Sequence, residues 1–256
     1  MIESKNTVER TLSILETVAH STGGLTNSDI SRRLKLPKSS ASYILRILEQ
    51  RGYLARETKS GKYRLGLKLM GLTRESATHT DIREVAKPIM ESFVKRTNLA
   101  THLAVLDNGR AVYVEKVENA NSFIKMDIWV GHRLPVHSTA IGKVLLSEMT
   151  EKEVLSILEL RGMEKKSSKT ITSAKRYLKE LEKVRTYGFA VDDEENSDGV
   201  RCIASPIFDA QGKIVAALGT SDTITRLDET QLTKVVELVK KAAIQVSNLI
   251  GFDSKS

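Results

Sequence analysis

Val8, Leu12, Leu15 and Ala19 recur at spacings of three and four, which predicts a helix from about Asn6 to His20 with one apolar stripe. Ser21 to Gly24, "STGG", breaks that pattern. Thr26 and Asp29 stand at capping-box spacing, with a shorter acid than the usual glutamate, and Ile30 and Leu34 give a short second helix its inner face. Pro37 suits the first turn of a third helix, which Gly52 ends. "GYLARE" and "KYRLG" then alternate on either side of "TKSG", as the arms of a hairpin do.

Helix, helix, turn, helix and hairpin within residues 1–66 is the order of a winged helix-turn-helix. In the third helix Ala41, Ile44, Leu45 and Leu48 form the core face. Ser39, Ser42, Tyr43 and Arg46 fall at i, i+3, i+4 and i+7 on the opposite face. Lys38 and Ser40 flank that face at the helix start, where a helix laid in a DNA groove presents its side chains.

Leu65 to Asn98 is helical in pattern, divided around Thr78–Thr80, and its apolar first part, residues 67–80, reads as a linker helix. Its stripe Leu65, Leu67, Leu69, Met70 and Leu72 is a candidate subunit contact. From Asp81 to Ser256 the pattern changes. "THLAVLDNGRAVYVEKV" predicts two strands around Asp107–Asn108–Gly109, and "SFIKMDIWV" predicts another. Helices are predicted at about Ser138–Ser147, Glu151–Leu160 and Ser173–Tyr187. "GFAVDD" and "RCIASPIFDAQGKIVAALGTS" add three strands, and a long helix runs from Asp228 to Ile250. Hairpin-linked strands with helices grouped between and after them give an α+β fold.

Charge sharpens this division. The chain has 256 residues and a net charge of +8, and residues 1–66 hold 12 Lys and Arg against 6 Asp and Glu. Between Arg32 and Arg64 there are ten basic residues and only Glu49 and Glu57 as acids. Arg56, Lys59, Lys62 and Arg64 make the hairpin basic. Charge concentrated in this way favours double-stranded DNA as the partner of the first unit. The competing reading is a small helical domain whose polar face contacts protein.

The remaining composition excludes more than it adds. One cysteine, Cys202, allows no internal disulfide and no multi-cysteine zinc site. No run approaches the roughly 18 apolar residues of a membrane span, and the charged start is unlike a signal peptide, so a cytoplasmic protein is expected. There is no G-x-S-x-G and no Gly-rich phosphate loop, and no catalytic residue, metal or cofactor is expected. Asp192–Glu195 is the better metal candidate, although such acidic runs usually end strands in solvent.

"LPVHSTAIGKVLL", Leu134 to Leu146, carries the candidate chemistry of the second unit. Pro135 holds Leu134 extended, and His137, Ser138 or Thr139 can begin a helix whose apolar face is Ile141, Val144 and Leu145. Such a start either offers donors to a carboxylate or other small anion, or simply caps itself with its hydroxyls. Adjacency alone does not aim the His137 and Ser138 side chains at each other.

From Asn6 to Leu249 the chain resembles the IclR-type transcriptional regulators. The resemblance rests on "LPKSSASYILRILEQRGYL" with its hairpin, "VGHRLPVHSTAIGKVLLS", "YGFAVDDEENSDGVRCIASPIFDAQGKIVAALGTS" and the closing amphipathic helix. It implies a winged helix, a linker helix and a GAF-like domain with a mostly antiparallel sheet. It also implies a small-molecule effector, often an organic acid or aromatic compound, and a homodimer or homotetramer on a near-palindromic operator. The implied pocket residues are His137, Ser138, Thr139, Ala140, Asp192, Cys202 and Ser221. Members often carry serine where this chain has Gly219, which removes one hydroxyl and favours an effector larger than glyoxylate or pyruvate. The expected function is therefore a metabolite-responsive repressor. The rivals are an enzyme with a DNA-binding appendage, using His137, Asp192 and Cys202, and a protein-binding adaptor.

Overall fold

The computed structural model describes residues 6–75, 81–118 and 129–253. The chain divides into two compact units, Met1–His79 and Thr80–Ser256.

In the first unit, α1 (Thr7–Ala19), α2 (Asn27–Leu34) and α3 (Lys38–Gln50) precede an antiparallel hairpin of β1 (Leu54–Arg56) and β2 (Tyr63–Leu65), followed by α4 (Lys68–Glu75). Asn6 with Glu9 and Thr26 with Asp29 form reciprocal capping boxes at α1 and α2, each satisfying two otherwise unpaired amides. Pro37 is the N-cap of α3 rather than its first residue. Ala41, Ile44, Leu45 and Leu48 are buried as their spacing requires. The stripe expected on α1 is wrong in phase: Ile14 and Val18 are buried, while Val8 and Leu12 are 67% and 53% exposed. Two apolar rows on α1 satisfy helical spacing, and packing on Leu45, Leu54 and Tyr63 selects one. Leu25 joins the hairpin through a bridge to Tyr63, with amide–carbonyl bonds of 3.1 and 2.7 Å.

The second unit contains α5 (Ile82–Thr97), β3 (Ala100–Asp107), β4 (Arg110–Val117), β5 (Arg133–Leu134), α6 (Ala140–Leu146), α7 (Glu151–Arg161), α8 (Ala174–Tyr187), β6 (Ala190–Asp193), β7 (Val200–Phe208), β8 (Ile214–Thr223) and α9 (Glu229–Leu249). The sheet is antiparallel in the order β5-β4-β3-β8-β7-β6. Asn108 and Gly109 make the two-residue β3–β4 turn with φ of 47° and 67°, the paired positive angles that suit Asn-Gly.

Each sheet face builds its own core. One packs against α6, α7 and α8 through Ile141, Val144, Leu146, Val154, Tyr177 and Leu181. The other packs against α5 and α9 through Met90, Phe93, Val235, Val239 and Val246. This three-layer arrangement is the expected α+β domain. Residues 122–128 of the strand expected at "SFIKMDIWV", and residues 76–80 of the expected linker helix, lie outside the described residues. Trp129 and Val130 are not in a strand; they lead through a turn at Gly131 into β5, a short edge strand that the hydrophobic pattern does not announce.

Candidate functional site

On α3, Lys38, Ser39, Ser42, Tyr43 and Arg46 are exposed. The Arg46 guanidinium carbon lies 5.9 Å from the centre of the Tyr43 ring, so the two side chains form one stacked unit. Asn27 donates to the Ser42 hydroxyl at 2.6 Å, tying α2 to this face. Ser40 differs: it is half-buried and accepts from Arg10 at 3.4 Å, so its hydroxyl turns toward α1. On the hairpin Arg56, Lys59 and Arg64 are exposed and Lys62 is half-buried; Arg56 stacks 5.5 Å from the Tyr63 ring centre.

In the second unit the chain between β5 and α6 turns tightly. Tyr177 donates from its buried hydroxyl to the Val136 carbonyl at 2.7 Å. A Cβ on Gly142 would overlap the Val136 backbone, so only glycine lets α6 approach so closely. Thr139 is the N-cap of α6, accepting from the Gly142 amide at 3.1 Å and donating to the Pro135 carbonyl at 2.7 Å. The capping reading therefore accounts for the Thr139 hydroxyl. The His137 and Ser138 side chains diverge. His137 donates from Nε2 to the Glu164 carbonyl at 3.0 Å, and Ser138 donates to Asn196 Oδ1 at 3.0 Å.

Three strands complete the site. Asp192 on β6 pairs directly with Cys202 on β7, and Cys202 with Ser221 on β8, so the three form one row across the sheet. Ser221 donates to the Cys202 sulfur at 3.1 Å. Against this row lies a cavity lined by Thr139, Ala140, Asp192, Cys202 and Ser221, with Tyr113, Leu134, Ile141, Asn196 and Gly219 among the other walls. Its atom-free space, counted out into the solvent at its mouth, is about 400 Å³. Five of the seven expected pocket residues thus meet, whereas His137 and Ser138 do not line the cavity. Tyr113, Asn196 and Leu134 were missed. Asn196 was within reach of sequence reasoning, four residues beyond Asp192 in a turn; Tyr113, on the distant β4, gave no signal.

The acidic run does not converge on a metal. Asp192 Oδ1 accepts from the amides of Glu195 and Asn196 at 2.7 and 3.3 Å. Asp193 pairs with Arg201, Glu194 with Lys169, and Glu195 with the buried Lys143 ammonium. Lys143 also donates to the Val191 carbonyl at 2.8 Å, pinning α6 to β6. Among the described residues no group of three or more His, Cys, Asp and Glu is placed to hold a metal ion.

Burial sets the electrostatics. It pushes the Asp192 carboxyl up to about 7, against the pull of the Glu195 amide. Burial, with the Asp192 carboxylate second, pushes the Cys202 thiol up, so it stays protonated and weakly nucleophilic. His137 is pulled below the usual histidine range by burial. Neither shift activates Cys202 as a nucleophile with His137 as its base.

Similarity to known proteins agrees with this division. Residues 7–58 match the IclR helix-turn-helix domain, and residues 74–248 match the bacterial transcriptional regulator IclR C-terminal domain. The chain is 36% identical over 245 residues to the HTH-type transcriptional regulator XynR of Escherichia coli, covering 96% of this chain and 97% of the relative. It is 31% identical over 244 residues to the HTH-type transcriptional repressor AllR of Escherichia coli, covering 95% and 90%. An IclR homologue of Microbacterium hydrocarbonoxydans, solved in complex with 4-hydroxybenzoate, superposes with a TM-score of 0.83 at 26% identity, covering 95% of this chain and 98% of that one. With a basic winged helix ahead of a walled cavity and both family domains matched, the chain belongs to the IclR family of DNA-binding bacterial transcriptional regulators.

Proposed function

We propose that this regulator represses transcription by binding a near-palindromic operator as a homodimer or dimer of dimers in the cytoplasm, and that a small organic acid or aromatic metabolite releases it. Residues 1–66 are the DNA-binding domain, 67–80 the linker and 81–256 the effector domain. Tyr43 and Arg46 read bases, with Ser39 and Ser42 beside them, and Lys38, Arg56, Lys59, Lys62 and Arg64 hold phosphates. Leu67 and Met70, 81% and 70% exposed, are the apolar surface that a second copy covers.

The effector site is the cavity at Thr139, Ala140, Asp192, Cys202 and Ser221, and the convergence of these five residues on one walled space is the observation that carries the proposal. A ligand that binds one arrangement of these walls more tightly than another shifts the population toward it, which is the differential affinity that coupling to DNA requires. The repressor name of AllR and the 4-hydroxybenzoate held by the Microbacterium homologue support the sign and the ligand class.

The test is operator binding titrated with metabolites. Thr139→Phe fills the cavity, so the variant should bind operator like wild type and ignore every compound that releases the wild type. A Thr139→Phe variant that still responds places the effector elsewhere. Light scattering that finds a monomer with tight operator binding retained sinks the dimer.

A further inference from the structure

We infer that Tyr113 is a specificity-determining residue of the cavity: its free hydroxyl donates to an effector oxygen, and so a cavity walled by no cation selects an organic acid over its uncharged analogue. The inference rests on the cavity being the effector site.

The other hydroxyls on the cavity wall are committed or outside. Thr139 donates to the Pro135 carbonyl, Thr220 to the Ala100 carbonyl at 2.6 Å, and Ser221 to the Cys202 sulfur. Ser197 is exposed at the surface. Tyr113 is buried, and its hydroxyl has no hydrogen-bond partner among the described residues. That oxygen is not sealed in, as both ring nitrogens of the neighbouring His102 are. In a residue 4% exposed that walls the cavity, the open space beside the oxygen is the cavity itself. The opposite wall agrees. Burial first, then the charges that Cys202 and Asp192 can carry, push the phenol up, so that row lies within electrostatic reach of the hydroxyl and Tyr113 keeps its proton.

The fold presets this donor. Tyr113 pairs with Ala104 on β3, and both belong to the core on the α6 side of the sheet. Its amide donates to the His132 carbonyl at 3.0 Å, and its carbonyl accepts from the Gly131 amide at 2.7 Å. The His102 ring meets the phenol edge-on with centroids 5.6 Å apart. A side chain held in this way loses little freedom when it binds.

No lysine, arginine or histidine is among the described residues lining the cavity. The charge of an organic acid must therefore be met by hydrogen-bond donors, and Tyr113 holds the uncommitted buried hydroxyl. An O–H···O⁻ bond is the stronger, charge-assisted kind. The phenol can also accept, but a ligand that only donated to it would leave its proton buried and unpaired. A ligand with a methyl group in place of the carboxylate leaves the hydroxyl with no partner at all.

The experiment is calorimetry on the full-length protein with benzoate and 4-hydroxybenzoate, and with toluene and 4-methylphenol, in which a methyl group replaces the carboxylate. Wild type should bind at least one acid about tenfold more tightly than its methyl counterpart. Tyr113→Phe should weaken that acid about tenfold and leave the counterpart unchanged, because the ring stays and only the donor goes. Equal weakening of both shows that Tyr113 packs without selecting, and overturns the inference. An acid that binds Tyr113→Phe as it binds wild type does the same. If Thr139→Phe still abolishes binding of that acid, the cavity reading stands; if Thr139→Phe binds it normally, both readings fall. Ligand-free unfolding adds a second measure. A hydroxyl without a partner contributes nothing to the fold, so the melting midpoint of Tyr113→Phe should match or exceed that of wild type, and a lower one overturns the inference. Should neither acid bind, the ligand class and with it the inference fall, while the operator titration still judges the cavity.

Discussion

The two units keep the side chains proposed for their functions in opposite surroundings. Tyr43 is 55% exposed and Arg46 stands beside it in solvent, whereas Ser221 is 7% exposed and Asp192 only 1%. Solvent screens the first set, so the attraction it would exert on DNA is short in range and weakens with salt. Burial isolates the second set, so each polar atom there must find a partner or shift its ionisation. One chain thus holds an exposed face sensitive to ionic strength and a buried row sensitive to protonation.

The largest expected effect breaks the buried side of this contrast. Lys143→Met leaves Glu195 buried without its cation and should destabilise the second unit by about 3–5 kcal/mol at pH 8, read by chemical denaturation. Burial already raises the Glu195 carboxyl, so it protonates more readily without Lys143, and the loss should shrink at pH 5. Equal losses at both pH values would show that the charge is not what Lys143 answers.

Next comes Asp192. Its folded-state pKa of about 7 lies above the ordinary 3.8, so the folded chain holds that proton more tightly than the unfolded chain. The contribution is therefore lost as pH rises from about 4 through about 7. Asp192→Asn keeps an oxygen for the Glu195 and Asn196 amides and should stabilise the protein above pH 7, by up to about 4 kcal/mol, with a flatter stability–pH curve. Affinity for an anionic effector should fall in wild type as pH rises through about 7 and stay level in the variant.

On the exposed side, Arg46→Ala should cost roughly 1–3 kcal/mol of discrimination between operator and random DNA, measured by competition binding. Lys59→Ala should do less: it should weaken both DNAs together and reduce the salt slope by about 1. A wild-type affinity with no salt slope would remove the contrast altogether. The smallest effect is Thr26→Ala, which removes the α2 cap and should cost about 1 kcal/mol of stability in the first unit, seen as a lower unfolding midpoint.

Legibility in the sequence follows the same divide. The third helix could be read because its core face and its exposed face are fixed by spacing within thirteen residues. The helices at Glu151–Arg161, Ala174–Tyr187 and Glu229–Leu249 and the Asn108–Gly109 turn are local in the same sense. The α1 stripe failed because two rows met the same periodicity and only Leu45, Leu54 and Tyr63 choose between them. His137 failed because a residue's number says nothing about where its ring turns, and the ring turns to the Glu164 carbonyl.

What the sequence by itself determined is therefore whatever short-range physics sets: most of the element order, the basic face of residues 32–64, and the motifs that mark the family. Only the tertiary structure decided that Asp192, Cys202 and Ser221 form one row and that Tyr113 walls the cavity against it. Those facts depend on strand register and on which sheet face each residue occupies. Pairing between residues more than a hundred positions apart, as for His102 and Gly219, sets both, and no local pattern encodes it.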